Sequence, residues 1–349
     1  MSSLTAALSM ALALTLSQGS DAPLGPRGPS QDVPLFASHE MITLEVKGPI
    51  QAMEEDRGDE PEYLHMTLRW TAGAETGEAE VRFRPRGNFR KQRSTCRDMP
   101  PLRLNFATGE MEGTVFEGQN RLKLVTHCRE GDQYEQNVYE EYLAYRIYNV
   151  VTEESFRVRL AQVTYTDPEE GTSSTYPGFL IEDEDRMAER LGGTVEEFEQ
   201  LHPFRYAPGT ETRVSVFQYL IGNTDFSLVE SHNVVIVRKE DGALLPIPYD
   251  FDWSGLVSAR YARPNETLGI RHVRQRLYRG FCHDGLDAAT AMAPFAGLSS
   301  ALPAIYAEIG QWEEEGRERA QEYVDDFIEL LDDPGKVERE IVRTCRRVG

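Results

Sequence analysis

The residues best suited to chemistry lie in one stretch, residues 221–237 (IGNTDFSLVESHNVVIV), and in the run Tyr249-Asp250-Phe251-Asp252-Trp253 that follows it. A helical pattern ends near Gly222, a polar loop presents Asn223, Asp225, His232 and Asn233, and a β-branched strand comes next. A second short strand, residues 244–248, then delivers Asp250 and Asp252. Side chains on loops whose ends are fixed by rigid elements can converge in a cleft. Phosphoryl transfer needs such a set. One carboxylate orients the attacking hydroxyl or accepts its proton, while a second carboxylate and an amide oxygen hold a magnesium ion against the phosphates. Asp225, Asn233 on the same loop, and Asp250 beyond a short hairpin have that order. All three offer the hard oxygens that Mg²⁺ or Mn²⁺ prefers. Asn and Asp are also common turn and cap residues, so the same spacing suits ordinary turns.

Those side chains depend on the elements around them. Residues 41–47, 63–70, 80–84, 102–106 and 121–126 read as short strands, most of them alternating apolar with polar. Gly and acidic clusters separate them, and residues 53–61 form a loop. The first strong helix is residues 134–151, whose tyrosines and aliphatic residues leave most of its sides buried. Strand-like segments follow at 156–166 and 176–181, then helices at 185–201 and 212–222 and a mostly helical C-terminus after Pro303. Strands 234–237 and 244–248 interrupt the helical part as a small hairpin. A strand-rich half followed by a helical half is an α+β layout, and two lobes place a cleft between them. The expected division is a strand-rich N-lobe, residues 39–182, on the nucleotide side, and a C-lobe, residues 183–349, on the metal and acceptor side.

The whole-chain numbers narrow the function classes. With 349 residues, 40% hydrophobic and 27% charged, the chain is that of a globular protein with a substantial core. A net charge of −21 argues against a general nucleic-acid binder and against docking on anionic lipid. An apolar stretch from about Leu4 to Leu16, followed by Ser17, Gly19 and Ser20, has the length of a signal-peptide core and is too short to span a bilayer. Residues 1–19 are therefore expected to be a signal peptide, although one lacking a basic n-region; a short N-terminal helix is the alternative. Residues 20–38, rich in Pro, Gly and Ser, read as a linker. The four cysteines show no zinc spacing. In an exported chain they read as two disulfides, with Cys96–Cys128 and Cys282–Cys345 the local pairing among three connectivities. No other segment approaches membrane-spanning length, and a secreted or periplasmic location follows from the leader.

The chain resembles the CotH kinase family, the spore-coat protein H-like atypical protein kinases. The resemblance rests on RGN at 86–88, PLRLNF at 101–106, EEYLAYRIYN at 140–149, PGFLIEDEDRM at 177–187, GNTD…HN at 222–233 and PYDFDW at 248–253. They occur in the family's order, from roughly residue 80 to 260 and over about half the chain. The resemblance implies a two-lobed, protein-kinase-like fold that uses ATP with Mg²⁺ or Mn²⁺. It also implies transfer to a hydroxyl, expected to be a Ser or Thr of a protein acceptor, with a sugar, lipid or small alcohol left open. By it, Asp225 looks like the catalytic aspartate, Asn233 and Asp250 like metal ligands, and Asp252 like a second acidic contact.

For the phosphates a kinase needs a cation braced by a helix glutamate, and Lys123 with Glu140 or Glu141 is the natural pair. Arg86 and Arg103 compete as phosphate contacts, because guanidinium forks match phosphate oxygens. The backbone of residues 179–183 would read the adenine edge, with Glu182 anchoring that hinge. Residues 256–296, Arg-rich in an acidic chain, are the candidate acceptor side for an acidic or phosphorylated partner. Where the family carries a basic residue, this chain has Glu140. That departure keeps a second reading open, a non-catalytic binding protein of the envelope or surface.

Overall fold

The computed structural model describes residues 34–107 and 109–348. The expected leader, residues 1–19, and residues 20–33 of the expected linker lie outside these. The linker reading does not extend to Leu35 and Phe36, which are buried in the first hydrophobic core.

The strand-rich half is built from β1 (Ile42–Lys47), helix α1 (Ile50–Glu55), β2 (Leu64–Ala72), β3 (Glu75–Pro85), β4 (Leu102–Asn105) and β5 (Arg121–Val125). Helix α2 (Asp132–Val151) comes next, then β6 (Val158–Asp167) and β7 (Thr172–Ile181). Alternation drives the sheet. In β1, Ile42, Leu44 and Val46 are buried while Thr43 and Lys47 are exposed. The strands close into a seven-stranded barrel in the order β1-β2-β3-β4-β5-β7-β6. Every pairing is antiparallel except the closing one, where β1 runs parallel to β6. Leu44, Leu68, Phe83, Leu104, Leu124 and Val163 fill its interior.

The closure corrects the expected two-lobed, kinase-like fold. The strand-rich half is a closed barrel, not an open lobe. Inward apolar and outward polar residues alternate identically in an open sheet and in a barrel, so the pattern could not show the β1–β6 pairing. That pairing leaves the barrel without an exposed edge.

The second half continues with α3 (Glu184–Arg190), β8 (Gly193–Glu196), α4 (Thr210–Leu220), β9 (Val234–Lys239) and β10 (Leu244–Pro248). It ends in helices α5 (Ala288–Met292), α6 (Leu298–Glu308), α7 (Glu314–Leu331) and α8 (Pro334–Glu340). The expected hairpin is a three-stranded sheet, β10-β9-β8. Its extra strand lies inside the helix expected over 185–201. Gly192 takes a left-handed φ of 71° and ends α3, and Thr194-Val195 then pairs with β9. Helix α2 stands between the halves. Tyr142, Tyr145, Ile147 and Tyr148 are all buried, as the tyrosine-rich pattern implied. They share one core with β7, α4, β9 and the C-terminal helices. The run Ala288–Glu308 is long and apolar enough to cross a membrane by length and composition alone. Its residues Ala291, Phe295, Leu298, Ala301 and Ile305 pack into that same core.

The cysteines pair as Cys96–Cys128 and Cys282–Cys345, with sulfurs 2.01 and 1.99 Å apart. Two disulfides are consistent with an oxidising, extracytoplasmic setting.

Candidate functional site

The loop that carries Asp225 is set by its ends. Helix α4 is buried on nearly every face and stops at Gly222, whose φ of 64° is left-handed. A β-carbon at Gly222 would run into the Tyr323 hydroxyl, so the close approach also demands glycine. Asn223 is fully buried, and its Oδ1 accepts the backbone N–H of Asp225 at 2.8 Å. Ser227 and His232 then exchange backbone hydrogen bonds, each 3.0 Å, and fold the loop back on itself. The Asn233 amide donates to the Asp225 carbonyl at 2.7 Å and to Asp225 Oδ2 at 3.1 Å. His232 Nε2 lies 3.3 Å from Asp225 Oδ1, and that hydrogen bond raises the imidazole above its ordinary value. Asp225 and Asn233 are therefore in contact.

Asp250 follows at the end of β10, and the sheet brings it near. Val234 pairs with Pro248, and the Tyr249 N–H donates to the Asn233 carbonyl at 3.1 Å. Both Asn233 and Asp250 have positive φ, 52° and 61°. Asn and Asp tolerate this region best among side-chain-bearing residues, and such backbone clusters at functional sites. The side chains of Asp225 and Asp250 both keep 39% of their exposure, so a ligand can reach them.

Sequence reasoning missed the centre of the acidic group, Arg90. Its guanidinium lies 3.0 Å from Glu141 Oε2, 2.9 Å from Asp250 Oδ1 and 3.3 Å from Asp252 Oδ2. Arg90 lies just beyond the RGN turn, where nothing in the spacing sets it apart from Lys91 or Arg93. Glu141 and Asp252 are almost wholly buried. Burial, reinforced by the neighbouring acids, holds Glu141 up and Asp252 well up despite Arg90. For Asp250 the burial is outweighed by Arg90, Arg86 and Lys123, which hold its carboxyl below the usual value. Tyr261 donates to Asp252 Oδ2 at 2.9 Å, and Tyr145 accepts the Asp250 N–H at 3.0 Å. Asp252 thus faces Arg90 and Tyr261, not open solvent.

The expected pairing of Lys123 with Glu140 or Glu141 is not what forms. Glu141 belongs to Arg90. Glu140 points the other way, toward Arg319 on α7 at 3.5 Å, and burial pushes it to about 8. Lys123 instead meets Glu184 at the start of α3 and lies over the Tyr249 ring at 5.0 Å. Helix α2 faces the barrel with Glu141 and α7 with Glu140, so the barrel strand finds its acid on α3. Burial and the nearby Arg86 lower the Lys123 ammonium. At Glu184, burial is outweighed by Lys123, Arg103 and Arg86, which hold the carboxyl down. Both values fall, which disfavours the charged lysine and favours the charged glutamate, because the lysine is the more enclosed and has a second cation beside it.

Arg86, Lys123, Glu141, Tyr145, Tyr249 and Asp250 line a narrow pocket of about 260 Å³, counted with the space open to solvent. Arg86 Nε is buried there without a hydrogen-bond partner. A buried orphan donor beside a second cation, Lys123, is a place an anion could be met, although Glu141 and Asp250 line the same pocket. Arg103 is opposite Lys123 in the β4–β5 register and adds to the same field. The space in it that admits the centre of a water-sized molecule is only about 10 Å³, room for about one water, so a phosphate enters only if the lining side chains move.

Over Phe179–Ile181 the expected adenine edge, residues 179–183, is taken up by the barrel. Strand β7 is paired with β5 and with β6 over Phe179–Ile181, so its backbone groups are spent in the barrel. Glu182 is buried and held by Arg190 at 2.7 Å, which ties α3 to the barrel. Both Glu182 carboxylate oxygens are taken up at this junction, by Arg190 and by the Arg157 N–H.

The oxygens of Asp225, Asn233 and Asp250 suit Mg²⁺ or Mn²⁺, which one or two carboxylates plus substrate phosphates can hold. Among the described residues no group of three His, Cys, Asp or Glu side chains is gathered for a metal. In comparisons with known proteins, the chain matches no family model and no curated protein.

Proposed function

We propose that this chain is an ATP-dependent phosphotransferase of the kind the CotH resemblance implies, moving the terminal phosphoryl group onto a protein hydroxyl, Ser or Thr, outside the cytoplasm. The observation that carries it is one juxtaposition. Asp225, Asn233 and Asp250 sit on adjoining ends of one small sheet, and Asp250 also lines a pocket in which a buried Arg86 donor has no partner.

On this reading Asp225 orients the acceptor hydroxyl and takes its proton, with His232 and the Asn233 amide fixing the carboxylate. Asn233 and Asp250 would hold the divalent ion, which would supply charge neutralisation for the phosphates. Arg86 and Lys123 bind phosphate, with Arg103 supporting the field. For this, Lys123 would have to leave Glu184 and Asp250 would have to leave Arg90. The test is transfer from labelled ATP with Mg²⁺ or Mn²⁺ to the chain itself or to a casein-like acceptor. Incorporation is expected for the native chain and a loss of at least about a hundredfold for Asp225→Asn. Equal incorporation by both would remove Asp225 from the chemistry.

One observation favours a second reading, a non-catalytic binding protein: Arg90 already occupies the acids an ion would take. A ligand that binds only the native state raises the melting temperature. No rise with any nucleotide and metal would select this reading.

A further inference from the structure

Three arginines of the Arg-rich segment, Arg274, Arg276 and Arg279, are turned toward the protein itself. Arg274 and Arg276 lie over the Tyr323 ring at 4.6 and 4.0 Å. Arg276 donates to the Leu220 carbonyl at 3.1 Å and to the Tyr323 carbonyl, and Arg274 reaches the Gly255 carbonyl at 3.4 Å. Arg279 goes further. One of its terminal nitrogens donates to the Thr224 carbonyl and, at 2.8 Å, to the Phe226 carbonyl. These are the carbonyls on either side of Asp225. The guanidinium also lies over the Phe226 ring at 5.3 Å.

The residues after Arg279 are fixed from two directions. The Phe281 N–H donates to Glu211 Oε1 of α4 at 3.0 Å. Arg346 donates its backbone N–H to Gly280 at 2.8 Å and accepts from Cys282 at 2.9 Å. The Cys282–Cys345 disulfide closes the same junction. A side chain bracketing one peptide unit from so fixed a base can hold the neighbouring carboxylate in place. Small displacements of a reacting group cost large factors in rate.

We infer that Arg279 is the positioning residue for Asp225, acting through the two peptide carbonyls that flank it. The inference rests on the proposed role of Asp225 as the group that orients the acceptor.

The test compares Arg279→Lys and Arg279→Met with Arg276→Lys, whose native arginine holds carbonyls further from Asp225. Transfer kinetics and amide hydrogen exchange are measured on the full chain. In the Arg279 variants kcat is expected to fall about tenfold or more, while KM for ATP stays within about twofold. Amide exchange is expected to quicken over residues 223–227 and not elsewhere. Arg276→Lys is expected to keep kcat within about threefold. Unchanged kcat in both Arg279 variants overturns the inference, as does a kcat loss in Arg276→Lys that matches theirs. If the native chain transfers no phosphate, the proposed function fails. The exchange arm then decides: quickening confined to residues 223–227 supports the clamp, and unchanged or chain-wide exchange overturns it.

Discussion

Replacing Arg90 by methionine removes one guanidinium from among Glu141, Asp250 and Asp252 while keeping most of the side chain's volume. The side chains of Glu141 and Asp252 are 3% and 7% exposed, so little water can replace the lost cation. Breaking a buried ion pair from one side costs about 3–5 kcal/mol. A second route gives a similar figure. A carboxyl with an ordinary value of 4.5, as for Glu141, costs about 3 kcal/mol to keep neutral at pH 7, at 1.36 kcal/mol per unit, an upper bound because burial already raises it in the native chain. Asp250, more open to water, adds less.

The pH dependence has a definite sign. Without Arg90 the folded-state values of Glu141 and Asp252, already above their unfolded ones, rise further, and that of Asp250 loses the cation that holds it down. The variant then binds more protons folded than unfolded, and its stability falls as pH rises above about 4.5. The deficit against the native chain is therefore largest at neutral pH and shrinks toward pH 5. Urea denaturation of both proteins at pH 7.5 and pH 5 measures it. The expected loss is about 3–5 kcal/mol at pH 7.5, or roughly 6–10 °C in Tm at about 2 °C per kcal/mol. A loss below about 1 kcal/mol, or one equal at both pH values, would refute the assignment of Arg90 as the counter-ion of this group.

Glu140→Gln should stabilise the chain at pH 8 by about 1 kcal/mol or more and do nothing near pH 4.5. Burial raises the native carboxyl from 4.5 to about 8, so its cost to the fold appears as pH rises through that window; melting temperatures across it are the check. Replacing Cys282 and Cys345 together by serine opens a loop of sequence separation 63 and should cost about 4 kcal/mol by chain entropy, read from urea midpoints. It should also quicken amide exchange over residues 280–282, which the C-terminal segment covers.

How much was legible in the sequence differs between the two halves of the site. Asp225, Asn233 and Asp250 could be placed together because they lie close along the chain, joined by a helix end and a hairpin whose β-branched run and left-handed turns are local signals. The helix over 134–151 was equally plain, since its tyrosines recur on several faces. The partners across long separations were not legible. Lys123 could reach an acid on α2 or on α3, and only the packing of α2 against α7 through Glu140 and Arg319 removes one choice. Arg90 belongs to Asp250, 160 residues away, and looks like any arginine in a basic turn. Barrel closure by β1 and β6 was hidden for a related reason. Alternation reports which face of a strand is buried and says nothing about which strand lies beside it.

The ionic partners observed at the site bear on how it would fill under the proposed reading. Asp250 is paired with Arg90 and Lys123 with Glu184, so each half carries a protein group where ligand charge would come. A metal ion alone would take Asp250 from Arg90 and leave a buried guanidinium with two carboxyls already raised by burial. A phosphate alone would take Lys123 from Glu184, which is more exposed and returns to water at lower cost. The two exchanges are thus unequal, and the cationic half should open first. A nucleotide bringing the ion with it supplies both charges at once, and the released Arg90 then keeps Glu141 and Asp252. On the proposed reading, Arg90, the more buried of the two partners left behind, would set the order of filling more than the ligands of the metal themselves.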